Sequence, residues 1–149
     1  MIDMARLTAS LKLHEGVRDK PYDDKTGLPP VIQGKLTGGI GRNLTDKGFR
    51  ATEMEFMCQN DVAEALGALS RYYWFNLLDT VRATAVTEIM FALGATKYAG
   101  FVHMNDALAA KNWPRAAAEL TNSNLPNPGQ WGVTRVRTIS EMLLHGAWQ

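Results

Sequence analysis

The 149-residue chain has little of what usually assigns a protein to a class at once. Its only cysteine, Cys58, excludes an internal disulfide and is predicted to be a small buried apolar residue. No apolar run approaches the roughly 18 residues that a membrane-spanning helix needs, and the N-terminus lacks the basic and apolar regions of a signal peptide. The sequence therefore predicts neither membrane insertion nor a signal peptide.

An excess of charge of one sign is also missing. Sixteen lysines and arginines stand against 15 aspartates and glutamates, which leaves a net charge of +1 and a pI near 7.9. Nucleic-acid-binding domains usually carry a basic patch or a pI above about 9, so we expect no nucleic-acid partner. The histidines lie too far apart for local metal-ligand spacing, and there is no Cys-x-x-Cys, so no metal site is predicted.

Glycine and proline are concentrated between residues 20 and 50, where six of the 13 glycines and three of the six prolines lie. Residues of these two types at such density break helices. Short apolar runs such as Val31-Ile32 and Leu36-Thr37 lie in the same stretch. We therefore predict a small twisted β-hairpin sheet here.

Apolar residues recur at helical spacing on both sides of this stretch. A first helix is predicted over Met4–His14, just before Glu15. Thr52 and Glu55 fit a capping box, which predicts a helix that runs to about Arg71. Its apolar stripe is expected to hold Met54, Met57, Val62, Leu66 and Leu69.

The rest of the chain is also predicted to be helical, with a loop over residues 122–130. The predicted helices are Leu78–Leu93, closed by Gly94, and then Phe101–Ala110, Pro114–Leu120 and Val133–Leu144. The fold class is therefore α+β and mainly helical.

Three segments near the N-terminus combine into one pattern: Glu-Gly after the first helix, then Tyr-x-Asp-x-x-Gly, then Thr-x-Gly-x-Gly. They read Glu15-Gly16, Tyr22-Asp23-Asp24-Lys25-Thr26-Gly27 and Thr37-Gly38-Gly39-Ile40-Gly41. This pattern resembles the signature of the phage-type lysozymes, glycoside hydrolase family 24, including the eight residues between Glu15 and Asp24. Weaker similarities at residues 78–82 and 132–135 extend the resemblance over nearly the whole chain.

The resemblance implies a two-lobed lysozyme-like fold in a single domain of residues 1–149. A small β lobe would occupy about residues 13–50, and a linking helix about residues 52–71. The first helix and about residues 72–149 would form the helical lobe, with the cleft between the lobes.

The resemblance also implies a muramidase that hydrolyses the β-1,4 bond between N-acetylmuramic acid and N-acetylglucosamine in bacterial peptidoglycan. Glu15 would be the general acid, and Asp24 and Thr37 would position and activate the attacking water, so that the reaction inverts the anomeric carbon. Inverting glycosidases need room for this water between two carboxyl groups roughly 6.5–9.5 Å apart.

Three further residues receive roles from the same resemblance. Gly39 and Gly41 would bind substrate at points where backbone and sugar approach closely. Arg135 would lie beside the general acid and position it. An arginine there stabilises the ionised carboxylate, so burial has to raise the pKa of Glu15 in opposition to it.

The biological setting implied is phage lysis or wall penetration by a monomer that needs no cofactor and binds peptidoglycan. Such a protein is made in the host bacterial cytoplasm and acts on periplasmic peptidoglycan after holin release or delivery by a virion.

The chain departs from the family pattern at three places. Twelve residues separate Asp24 from Thr37, where the family commonly has five. Gly38 stands where the family prefers a bulky apolar residue. Arg42 stands where many members have a histidine that pairs with a helix aspartate, which predicts a salt bridge between Arg42 and Asp61.

Several alternatives stay open at the level of sequence. Asp24 can be a turn residue, and Thr37 an ordinary strand residue. A lytic transglycosylase needs the acid but no water-activating aspartate. A catalytically inactive lysozyme-like module would bind only glycan or a partner protein.

Overall fold

Three strands and six α-helices occupy the part of the chain that the computed structural model describes, residues 18–23, 34–126 and 132–149. The strands are β1 (Arg18–Asp23), β2 (Leu36–Gly39) and β3 (Arg42–Asn43). The helices are α1 (Leu44–Lys47), α2 (Ala51–Leu69), α3 (Thr80–Tyr98), α4 (Val102–Ala109), α5 (Trp113–Thr121) and α6 (Val133–His145). The predicted first helix, Met4–His14, lies outside these residues.

The strands form an antiparallel sheet in the order β1-β2-β3. Thr37 of β2 lies opposite Tyr22 of β1 and Asn43 of β3, and the register of β1 is irregular between Arg18 and Tyr22. This sheet confirms the predicted small β region, and with the helices it confirms an α+β chain that is mainly helical.

The chain divides into two compact units between Glu55 and Phe56. The first unit contains the sheet, α1 and the start of α2, and the second contains the rest of α2 and all later helices.

A continuous apolar core fills the second unit. Its completely enclosed members come from α2, α3, α4, α5 and α6, and include Leu69, Ile89, Leu108, Leu120 and Leu143. One polar pair lies inside this core, where the hydroxyl of Tyr98 donates a 2.9 Å hydrogen bond to Oδ1 of Asn105. Burial raises the pKa of Tyr98, and the neighbouring Tyr72 adds to this effect, so the hydroxyl keeps its proton and remains a donor.

Arg82 of α3 joins several parts of the second unit. Its Nη1 donates to Asp79 Oδ2 at 2.6 Å, and its Nε and Nη2 donate to the carbonyls of Leu143 and Leu144 at 2.7 and 2.9 Å. The guanidinium also lies 4.2 Å from the ring centroid of Trp113. Because the last carbonyls of a helix lack intrahelical partners, Arg82 completes the C-terminal end of α6.

The start of α2 corrects the predicted capping box. The helix begins at Ala51, so Thr52 lies within its first turn instead of before it. The carbonyl of Arg50 accepts the first helical bonds, and Glu53 accepts a 2.7 Å bond from the Arg50 N–H. A glutamate three residues past the cap performs this half of a capping box without a Ser or Thr at the cap itself.

The apolar stripe predicted for α2 is mostly exposed. Met54, Met57 and Leu66 are 51%, 38% and 41% exposed, and only Leu69 of the predicted stripe is buried. Cys58 is exposed as well, so its predicted burial is wrong. Helical spacing identifies side chains that share one side of a helix, but it does not say whether another element covers that side.

The later helices start and end within a few residues of their predicted bounds. The largest difference is in α3, which continues to Tyr98 past a break at Gly94, where φ is 72°. Gly94 therefore interrupts the helix at the predicted position, and a further turn follows it.

The described residues contain neither a candidate membrane-spanning helix nor a candidate metal-binding cluster. None of their helices is both long and apolar enough to cross a membrane. Nor do they contain three or more histidine, cysteine, aspartate or glutamate side chains grouped so as to hold a metal ion.

Candidate functional site

The structure describes some of the residues predicted to form the site and not others. Glu15 and Asp24 lie outside the described residues. Thr37, Gly39 and Gly41 lie together at the β2–β3 hairpin of the first unit. Arg135 lies in α6 of the second unit.

Thr37 is the most enclosed of these, with 6% of the residue exposed. Its hydroxyl donates a 3.2 Å hydrogen bond to the carbonyl of Lys35. The hydroxyl oxygen can still accept a hydrogen bond, because a threonine oxygen has two lone pairs. In this rotamer Thr37 can therefore accept a hydrogen bond from a water, but it cannot donate one to that water.

Gly39 and Gly41 frame the turn between β2 and β3. Their φ angles are 63° and 62°, a region that residues with a Cβ rarely adopt, which explains glycine at both positions. An added Cβ at Gly39 would meet no atom of the described residues within 4 Å. We call Gly39-Ile40-Gly41 the glycine turn. The backbone at the two glycines carries no side chain and is suited to close approach by a ligand, while Ile40 between them is 39% exposed.

Gly38 is closely packed. It is buried, and an added Cβ would lie 3.4 Å from Cδ1 of Leu44 and 3.6 Å from Cα of Pro21. A Cβ alone would make ordinary contacts, but a bulky apolar side chain would meet the backbone of β1. The packing of β1, β2 and α1 therefore limits the size of the side chain at position 38 without requiring glycine.

The salt bridge predicted between Arg42 and Asp61 is wrong. Nη1 of Arg42 lies 2.7 Å from Glu53 Oε1, and its Nε donates to the carbonyl of Gly48 at 2.8 Å. The chain turns at Gly48 and brings the first turn of α2 to Arg42, so the nearest carboxylate is Glu53.

The carboxylate of Glu53 uses both oxygens. Oε2 accepts from the N–H of Arg50 at 2.7 Å while Oε1 contacts Arg42. The Arg50 N–H contributes most to lowering the pKa of Glu53; burial opposes this, and Arg42 lowers it further. Glu53 therefore stays ionised at neutral pH and holds two points of the first unit together.

A second set of contacts connects β2 and β3 to α1. The side chain of Asn43 accepts from the N–H of Asp46 at 3.0 Å and caps α1. The N–H of Leu36 donates to the Thr45 hydroxyl at 2.8 Å, and Lys35 Nζ lies 2.8 Å from Asp46. The hydrogen bond from Lys35 is the largest cause of a lowered Asp46 pKa.

Arg135 forms an ion pair in the second unit. Its Nε donates to Glu88 Oε1 of α3 at 2.9 Å, and the two side chains are 41% and 40% exposed. Its predicted neighbour, Glu15, is outside the described residues. The role of Arg135 beside an acid therefore stays a prediction.

This ion pair lies at a pocket of about 800 Å³ in the second unit. Its apolar walls come mainly from α2 and α3 and include Val62, Leu66 and Phe91. Thr84 and Thr87 also line it, and their hydroxyls donate to carbonyls of α3 itself. The pocket is therefore mostly apolar, with the ion pair, Asn76 and three threonines as its polar lining.

Sequence reasoning missed Glu53 and Glu88 as the partners of Arg42 and Arg135. A signal for Glu53 was available, because a glutamate three residues after Arg50 fits half of a capping box. Glu88 gave no such signal, since 47 positions separate it from Arg135.

No protein-family model matches the chain.

Proposed function

We propose that the protein is a muramidase with a two-lobed lysozyme-like fold, which hydrolyses the β-1,4 bond between N-acetylmuramic acid and N-acetylglucosamine of peptidoglycan. The observation that carries the proposal is the combined pattern of Glu15-Gly16, Tyr22-x-Asp24-x-x-Gly27 and Thr37-x-Gly39-x-Gly41. The last part of this pattern forms one hairpin, with its threonine in β2 and its two glycines at positive φ.

The proposed reaction uses two carboxyl groups and water. Glu15 gives its proton to the glycosidic oxygen as the bond breaks. Asp24 takes a proton from the attacking water, which Thr37 orients by accepting a hydrogen bond. The water adds to the opposite side of the anomeric carbon, so a β-linked sugar gives an α product.

The glycine turn supports this reaction by its shape. A backbone without Cβ atoms lets peptide N–H and C=O groups reach sugar hydroxyls directly. Thr37 precedes the turn by two residues on the same strand, so the residues proposed for substrate and for water come from one hairpin.

A lytic transglycosylase is the second candidate, and the position of Thr37 favours it. The hydroxyl is nearly enclosed and already bonded to the Lys35 carbonyl, so little of it is open to a water. A transglycosylase needs no activated water, because the sugar's own 6-hydroxyl attacks the anomeric carbon and forms a 1,6-anhydro ring.

The products separate the two reactions. Purified peptidoglycan is digested with the wild-type protein, and the fragments are analysed by mass spectrometry and by NMR of the fresh anomeric signals. Hydrolysis with inversion predicts reducing ends that appear first as the α anomer. Fragments lighter by one water would identify a transglycosylase, and a β anomer first would contradict inversion. If the glycan stays intact, neither reaction takes place, and the remaining interpretation is a catalytically inactive binding module.

A further inference from the structure

We propose that Glu53 is a positioning residue for the substrate, acting through Arg42 to hold the glycine turn in its binding geometry. The inference rests on the proposed function, because it assigns this turn to sugar binding. Glu53 bonds to the Arg42 guanidinium and to the Arg50 N–H, so its proposed effect on the turn runs through the Arg42 side chain.

On the β3 side of the glycine turn the backbone pairing is short, whereas Gly39 on the β2 side also pairs with Arg18 of β1. β3 has two residues, and its partners across the ladder are Thr37 opposite Asn43 and Gly38 opposite Arg42. Arg42 is therefore the paired residue of β3 that lies closest to the turn. A hairpin with so few paired residues needs further contacts to keep one geometry.

Arg42 supplies such contacts through its side chain. Its Nε and Nη1 donate at 2.8 and 2.7 Å to the Gly48 carbonyl and to Glu53, and these two acceptors fix the plane of the guanidinium. The side chains of Arg42 and Glu53 are 26% and 35% exposed, so solvent screens the pair less than a fully exposed one.

Glu53 is itself fixed at its other oxygen. Oε2 accepts from the Arg50 N–H at 2.7 Å, which ties the carboxylate to the backbone at the start of α2. Arg42 is consequently bound to a helix end and not to a mobile surface side chain. Through this connection the helix restrains the residue on which the glycine turn closes.

The contacts at the opposite end of β2 offer a matched control. Lys35 and Asp46 form an ion pair of 2.8 Å in the same unit, but their side chains are 48% and 54% exposed. Exposed ion pairs of this kind contribute little to the stability of a fold. The Asp46→Asn substitution therefore removes an ion pair of the same unit that does not involve the Arg42 side chain, and asparagine keeps an oxygen that can accept from Asn43 Nδ2.

The test compares Glu53→Gln with Asp46→Asn by steady-state kinetics on soluble glycan strands released from peptidoglycan. Glutamine retains an acceptor oxygen for the Arg50 N–H, so the helix start is kept, but it cannot form the ion pair with Arg42. Loss of binding shared by ground and transition states raises KM without lowering kcat. For Glu53→Gln we expect KM to rise roughly fivefold or more and kcat to stay within about twofold. Asp46→Asn should change neither.

A double-mutant cycle with Arg42→Ala tests whether Glu53 acts through Arg42. If Glu53 acts through Arg42, the double variant Arg42→Ala/Glu53→Gln has the KM of Arg42→Ala alone. If the wild type is active and Glu53→Gln has the same KM as Asp46→Asn, this inference alone is overturned. The same follows if the effects of Arg42→Ala and Glu53→Gln on KM add in the double variant. A wild type that does not cleave glycan overturns the proposed function, and this inference with it.

Discussion

At the scale of single residues, the structure restricts what Thr37 can do. Its hydroxyl has one proton, which is used by the Lys35 carbonyl, and 6% of the residue is exposed. Any role in the reaction therefore depends on the hydroxyl oxygen as a hydrogen-bond acceptor and on a narrow approach for water.

Substitution at Thr37 separates catalysis from structure. Serine keeps the hydroxyl, whereas valine keeps the shape and removes it, at a cost of about 1 kcal/mol for the lost hydrogen bond. If Thr37 orients the water, Thr37→Val lowers kcat by roughly 100-fold or more while Thr37→Ser stays close to wild type. Rate measurements well below the melting temperature of each variant check this. Equal rates for both variants would reduce Thr37 to a strand residue.

At the scale of secondary-structure elements, helix ends decide several side-chain partners. Asp79 caps α3 by accepting from the N–H of Arg82 at 3.0 Å, and it also contacts the Arg82 guanidinium. Burial raises the pKa of Asp79, but these hydrogen bonds and the charge of Arg82 outweigh it, so the pKa lies below the ordinary value of 3.8.

The lowered pKa of Asp79 predicts a pH-dependent contribution to stability. A carboxylate whose folded-state pKa is depressed stabilises the fold above the unfolded pKa, and this contribution is lost as the pH falls through the folded-state pKa. We expect Asp79→Ala to lower the free energy of unfolding by about 1 kcal/mol at neutral pH, because the helix cap is lost. Urea unfolding of both proteins should show that the difference between their free energies of unfolding becomes smaller below pH 3.8. A difference that is constant down to the lowest pH at which wild type folds would contradict this account.

Local sequence patterns predicted the elements well and their contacts poorly. The helical periods of residues 78–93 and 133–144 and the glycine-rich stretch of residues 20–50 predicted helices and a sheet that the structure contains, although the first of these helices continues to Tyr98. Arg42 was assigned the wrong carboxylate because the sequence shows which charges exist, whereas the turn at Gly48 decides which is near. Cys58 was predicted to be buried from residue type alone, and the exposure of the middle of α2 depends on what packs against it.

At the scale of the whole molecule, the described residues include the hairpin that we propose faces the substrate, whereas the proposed acid and base lie outside them. The first unit presents a braced hairpin with two glycines at positive φ, and the second has a continuous apolar core. Glu15 and Asp24 were identified from a motif. Their distance and their burial could not be predicted, because both depend on how the chain around them folds.

The central claim is that Glu15 supplies the proton for cleavage of the wall glycan. Its most direct test is the turbidity loss of chloroform-treated Gram-negative cells with wild type, Glu15→Gln and Glu64→Gln, an exposed glutamate of α2 that serves as the matched control. Glutamine has nearly the same shape but no transferable acidic proton, so we predict that Glu15→Gln slows clearing by roughly 100-fold or more while Glu64→Gln clears like wild type. Equal clearing by wild type and a folded Glu15→Gln protein would contradict the account.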